Sequence, residues 1–234
     1  MFAGTFGNSS AVWIACGMQT AVQKTRPLSI GLVVVTLAIL IVSGIGPLER
    51  NTWILETAPV MIGLVVALAT AKKFPLTAML CVLLAVHAAI LCLGGHYTYA
   101  KVPLGDWVSS MFGWERNHYD RLGHVAQGFV PAILTREILM RLSPLRGSRW
   151  MFFVVLSVCL AFSAFYEMLE WWAALAFGEG ASAFLGTQGD VWDTQWDMFL
   201  CGCGAVAAQV LLSGWHRRQV DAIDPPERVG AKRA

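Results

Sequence analysis

Charge is what this sequence has least of. Asp, Glu, Lys and Arg together make up 14% of its 234 residues, against about 25% in a soluble domain, so an ordinary water-exposed fold is excluded. Alternation of apolar and polar residues with period two is missing as well, which argues against a transmembrane barrel. There is no dense block of cations, the formal net charge is only +2, and nucleic-acid binding has no support. No zinc-protease, P-loop or nucleophile-elbow motif occurs, so no single string declares a chemistry. Internal repeats, low-complexity runs and a second domain are also lacking. Residues 1–23 have neither a cationic start nor a clear small-residue cleavage site, so residues 1–27 read as a cytoplasmic or surface-lying segment rather than a signal peptide.

What the chain has is apolar length. Hydrophobic residues make up 56% of it and the mean hydropathy is +0.59. A hydrocarbon core about 30 Å thick takes about 20 apolar residues per helical crossing. Six stretches meet that length approximately: Leu28–Gly46, Trp53–Ala71, Phe74–Gly94, Leu122–Met140, Trp150–Phe177 and Trp192–Leu212. The expected fold is therefore all-α: a polytopic transmembrane helical bundle with about six spans over residues 28–212. Residues 213–234, with Pro225, Pro226 and scattered charges, read as a cytoplasmic, disordered tail.

The cations predict the orientation. Thirteen of the 17 Lys and Arg fall on one side of these spans, leaving Arg50, Lys101, Arg116 and Arg121 on the other. The positive-inside rule then puts both termini in the cytoplasm. Of the cysteines, Cys81, Cys92, Cys159, Cys201 and Cys203 lie within predicted spans and act there as small apolar residues. Cys201 and Cys203 are two apart on a helix and so point about 200° apart, a poor chelate.

Against this background the few ionisable residues inside the spans stand out. Each costs roughly 2.5–3.5 kcal/mol on insertion scales and marks a functional site by default. At 100° per residue, Asp120, His124 and Gln127 share one face of the fourth span. Ser163, Glu167 and Glu170 share a face of the fifth, with Tyr166 at its edge. Asp190, Asp193, Asp197, Cys201 and Gly204 line the sixth, provided that helix begins early enough to include Asp190. Three polar stripes at the same, outer end are most simply explained if they face one another.

Several carboxylates with an imidazole form a ligand set for Mg²⁺, Mn²⁺, Ca²⁺ or Zn²⁺. The expected metal ligands are His124, Glu167, Glu170, Asp193 and Asp197, with Asp120 or His118 beside them. His118, Asp120, His124 and Arg121 are the catalytic candidates, and Asp190, Arg116, His96, Tyr166 and Gln127 complete the site. Alternatives stay open: Asp190 and Asp193 can cap the sixth helix, and Arg116 and Arg121 either hold an anionic headgroup or lock the acids in ion pairs. His87 reads as a hydrogen-bonded packing residue, Glu56 as a first-turn acid, and Glu137 with Arg141 as a surface pair.

The strings Gly94-Gly95-His96-Tyr97-Thr98-Tyr99, Arg116-Asn117-His118-Tyr119-Asp120-Arg121-Leu122-Gly123-His124 and Gly186-Thr187-Gln188-Gly189-Asp190-Val191-Trp192-Asp193-Thr194-Gln195 resemble the YjdF-like family of bacterial inner-membrane proteins. Tyr166-Glu167 with Glu170-Trp171 fits the same pattern. The resemblance covers roughly residues 28–212 and implies a polytopic inner-membrane protein without implying an activity. A looser similarity, an Asp a few residues before a membrane His and a late Asp-rich helix, links the chain to VanZ-like glycopeptide-resistance proteins; Arg121 stands where those carry Lys.

From the residues, the preferred expectation is a metal-dependent hydrolase or transferase acting on a lipid or lipid-linked substrate. Divalent-cation or proton-coupled transport is the second reading, and a structural or partner-binding membrane protein the third.

Overall fold

The computed structural model describes residues 9–177, 184 and 187–226, and over residues 9–25 only the backbone. Among the described residues there are seven helices and no strand: α1 (Ser9–Ser43), α2 (Arg50–Thr70), α3 (Ala78–Tyr97), α4 (Pro103–Phe112), α5 (Tyr119–Leu142), α6 (Trp150–Phe177) and α7 (Asp193–Ile223). The fold is all-helical, as expected. Five segments are long and apolar enough to cross a membrane: Arg26–Ser43, Arg50–Thr70, Ala78–Tyr97, Trp150–Ala176 and Asp193–Ile223.

The remaining long helix, α5, has 24 residues and so spans about 36 Å, but it carries Asp120, Arg121, His124, Arg136, Glu137 and Arg141. It can afford them because α7, α6 and α3 pack around it. Both α1 and α2 pack on α3 at the edge of this group. Their outward side chains, Ile41, Val42, Ile62 and Val65 among them, are exposed, as lipid-facing surface should be. The core of Leu80, Ile133, Met140, Val155 and Cys201 sits where α3, α5, α6 and α7 meet.

One crossing sets the position of the polar residues. α5 and α7 run in the same direction, joined through α6, and touch backbone to backbone. A β-carbon on Gly128 would overlap the Cys201 carbonyl, and one on Gly204 would overlap that of Val125. Small residues at a helix crossing allow such an approach in lipid, where close packing replaces the hydrophobic drive. His124 lies one turn before Gly128, and Asp197 one turn before Cys201. Cys201 is buried at the crossing while Cys203 is exposed, the opposed orientation their spacing predicts.

The connection between α3 and α5 contains a helix of its own. Pro103 starts α4 and Gly113, with φ 68°, ends it in the left-handed conformation. Leu104, Trp107 and Met111 recur at helical spacing and are all exposed, so α4 presents an apolar stripe to the membrane boundary. Asn117 holds it down. Its side chain donates to Val102 O at 3.0 Å and Asp106 Oδ1 at 2.7 Å, and accepts from the Tyr119 amide.

At the opposite, basic end two expectations are corrected. Glu137 and Arg141 are not a surface pair: Glu137 is fully buried and Arg141 nearly so. The Glu137 carboxylate accepts from the Thr77 amide and hydroxyl, from Arg141 at 3.2 Å, and bonds His216 Nε2 at 3.0 Å. It thereby ties the start of α3 to α5 and α7, partners that neighbouring sequence could not reveal. The second concerns residues 213–223, expected within a disordered tail, which continue α7 instead. His216, Val220 and Ile223 form a buried face there, and Arg146 binds Asp221 and the Asp224 carbonyl. Residues 178–183, 185, 186 and 227–234 lie outside the described residues.

Candidate metal centre

The acidic end gathers the start of α5, the start of α7 and the last turns of α6. Asp193 is in the first turn of α7, where a carboxylate faces the positive end of the helix dipole. Its partner, though, is a cation. Arg116 binds Asp193, lies 3.6 Å from both Asp120 and Asp190, and donates to Thr187 O at 2.9 Å. Arg121 binds Asp190 at 2.9 Å and stacks over Trp196 with its guanidinium 5.4 Å from the ring centre. Asp190 in turn accepts from the Trp192 amide at 2.9 Å. The rim is thus an ion-pair lattice in which Asp190 and Asp193 have partners.

Deeper in, the balance reverses. Asp120, His124 and Asp197 each offer an atom such that all three lie within 4.8 Å of one another. His124 Nε2 is 3.6 Å from Asp120 and 3.7 Å from Asp197, beyond a normal hydrogen bond. The other ring nitrogen, Nδ1, meets Gln127 Oε1 at 2.9 Å. An amide oxygen only accepts, so Nδ1 carries a hydrogen, and Nε2 is the ring nitrogen that faces the two aspartates. The stripe of Asp120, His124 and Gln127 works as one unit.

Glu167 enters from α6, buried and within electrostatic reach of His124, Asp120 and Asp193. Two acceptors here have no hydrogen-bond partner, Glu167 Oε1 and Asp197 Oδ1. Unpaired buried carboxylate oxygens are costly, and both carboxylates lie in the field of the same imidazole. Glu170 lies half-buried behind, in the field of Glu167, Glu56, Asp120 and Asp197. The carboxylates therefore exceed the cations available to them, in a pocket of hard oxygen ligands with one nitrogen. Mg²⁺, Mn²⁺, Ca²⁺ and Zn²⁺ all suit such donors.

Glu56 is the residue the sequence reading missed. α2 starts at Arg50, so Glu56 sits in its second turn, buried, rather than in the first. It accepts from the Tyr166 hydroxyl at 2.7 Å and is close enough to feel Asp120 and His124. The signal available was its type and place: a carboxylate within a span, the same signal that singled out Glu167.

Two expected members stay apart. His96 points the other way, bonding Ser43 O at 2.8 Å through Nδ1, and so fastens the end of α3 to that of α1. His118, just before α5, stands edge-on to Trp114 at 4.8 Å between ring centres. Partial burial and the nearby Arg121 and Arg116 guanidiniums lower its pKa from the ordinary histidine value. It is a neutral group at the rim and not part of the inner cluster. His87, expected to be hydrogen-bonded, is half-buried, with its Nε2 enclosed and unpartnered.

Two comparisons with other proteins bear on the chain. Residues 28–218 match a family described as predicted membrane protein DUF2238. The inner membrane protein YjdF of Escherichia coli (strain K12) is 50% identical over 199 residues, 85% of this chain and 95% of the relative. No solved structure matches. These findings agree with the YjdF-like resemblance and do not bear on the VanZ-like one.

Proposed function

The chain belongs to the DUF2238 family of predicted membrane proteins, and from that premise we propose that it is a divalent-cation-dependent enzyme of the bacterial inner membrane. Its reaction is hydrolysis or group transfer on a lipid or lipid-linked substrate. The carrying observation is the convergence of Asp120, His124 and Asp197 within 4.8 Å, with unpartnered Asp197 and Glu167 oxygens beside them. A cation satisfies these oxygens and offsets the repulsion among the acids. Asp120, His124 Nε2 and Asp197 would hold it, the ion would supply acidification of a water, and Glu167, nearby, would accept that proton. Arg121 and the exposed Trp192 and Trp196 border the entrance at headgroup depth. By the positive-inside rule the entrance faces away from the cytoplasm.

Elemental analysis of the purified protein tests the first step. We expect a stoichiometric divalent metal in the wild type and its loss in Asp197→Asn and His124→Gln. Equal metal content in all three sinks the reading. With the metal established, turnover of phospholipid or isoprenoid-linked substrates in detergent tests the second.

Transport is the competing reading. Ser163 Oγ, Gln209 Oε1 and His216 Nδ1 are buried without partners along the way from the acidic end to the basic one. The Gly128–Cys201 contact and the fully buried Ala205 below it favour a pocket closed beneath, and hence catalysis. Metal uptake or proton flux in sealed vesicles reverses that preference.

A further inference from the structure

At the end opposite the acids, a cavity of about 230 Å³ opens between the last turns of α5, the α5–α6 turn and the end of α7. Three guanidiniums line it, those of Arg136, Arg149 and Arg217, over a floor of Met140 and Phe152 with Ser148 at the side. The other arginines nearby are engaged: Arg141 with Glu137, and Arg146 with Asp221. Among the described residues no carboxylate lies within ion-pairing distance of the three, and Arg136 Nε is buried without a partner. Like charges gathered around one concavity repel unless an anion sits between them.

The shape of the recess narrows the anion. Pockets for drug-sized ligands run about 300–1,000 Å³, so this one suits a group the size of a headgroup. Guanidinium is a planar fork of donors that matches tetrahedral phosphate oxygens. Gly147, with φ 80°, makes the turn that lines one wall; its left-handed backbone disfavours any side chain. Exposed Trp150 directly follows Arg149 and exposed Trp215 lies two residues before Arg217, and tryptophans of that kind settle at the level of lipid headgroups. We infer that this recess binds a phosphate group, presented by the headgroup of an anionic phospholipid. It is independent of the metal centre at the other end.

The test uses the full-length protein in neutral detergent, titrated with dioleoylphosphatidylglycerol and followed by native mass spectrometry, with inorganic phosphate as competitor. Arg149 and Arg217 are exposed, so Arg149→Gln and Arg217→Gln should fold. Each should weaken lipid binding by roughly tenfold, the scale of one charge-assisted contact. Arg218→Gln, an exposed cation one residue away but not in the lining, should leave affinity within about twofold. Millimolar inorganic phosphate should not displace the lipid. Displacement by phosphate would reassign the recess to a free anion and overturn the lipid source. Equal weakening by Arg218→Gln and Arg217→Gln, or none in the Arg149→Gln/Arg217→Gln double variant, would overturn the site itself.

Discussion

Gly128 of α5 lies against the backbone carbonyl of Cys201 in α7, so close that no β-carbon fits between them. One turn above this contact His124 meets Asp197, and below it the two helices continue in parallel to the basic end. The crossing therefore sets the spacing of the inner cluster as well as closing its floor. Gly128→Ala should force the helices apart, lowering stability by roughly 1–3 kcal/mol and widening the gap between His124 and Asp197. Thermal unfolding in detergent, read together with metal content, checks this. An unchanged melting temperature would show that the contact is not close in solution.

The ligand set can be separated from the rim by parallel substitutions. Asp197→Asn should lose metal while leaving the rim ion pairs intact. Asp193→Asn breaks the Arg116 contact and should cost stability yet retain the metal. Elemental analysis with thermal melts distinguishes the two, and metal loss in Asp193→Asn alone would move the centre outward to the rim.

Glu137 carries no role in the proposed reaction and a large one in the fold. Glu137→Ala removes the acceptor shared by Thr77, Arg141 and His216, leaving the buried Arg141 with only the Pro75 carbonyl and the more distant Asp224 carboxylate. Loss of one member of a buried pair costs about 3–5 kcal/mol, so this variant should unfold at much lower temperature or fail to accumulate. Any Glu137→Ala protein that does fold should still bind metal. Wild-type stability in the variant would contradict the burial of this network.

The Tyr166–Glu56 hydrogen bond reaches the cluster from α2. Tyr166→Phe deletes the donor with little change of shape and should cost about 1 kcal/mol, with the Glu56 carboxylate left less well held. A drop in melting temperature with metal retained is the expected outcome. No drop would mean that the hydroxyl finds water instead.

His118 provides a titration at the rim. Its pKa lies below the ordinary histidine value, through partial burial first and the Arg121 and Arg116 charges after it. Arg121→Gln removes one of those cations, which favours the imidazolium and must raise the pKa. Histidine resonances followed by NMR across the neutral range show the shift; a fall in pKa would mean that Arg121 does not face this ring.

The helices were legible from composition because lipid leaves the backbone few choices: every buried amide must be satisfied within its own segment. The polar stripes on α5 and α7 were legible for a similar reason, since 100° per residue puts Asp120 with His124 and Asp197 with Cys201 whatever surrounds them. The short α4 escaped notice because ten residues carry little periodic signal. Glu56, Glu137 and His216 escaped because their partners lie 110, 60 and 79 residues away.

Sequence alone determined that this protein lives in the membrane as a helical bundle, and which faces of its helices carry charge. Tertiary structure decided which carboxylates are paired and which are left over. Arg116 could have served Asp120, Asp190, Asp193 or Asp197 by type alone; packing set it against Asp193, with Asp120 and Asp190 at 3.6 Å, and left Asp197 beside His124. Charge and periodicity are local properties, carried by each residue into any fold. Pairing depends on distances of a few ångströms between helices, and those follow from how closely two glycines let their backbones approach.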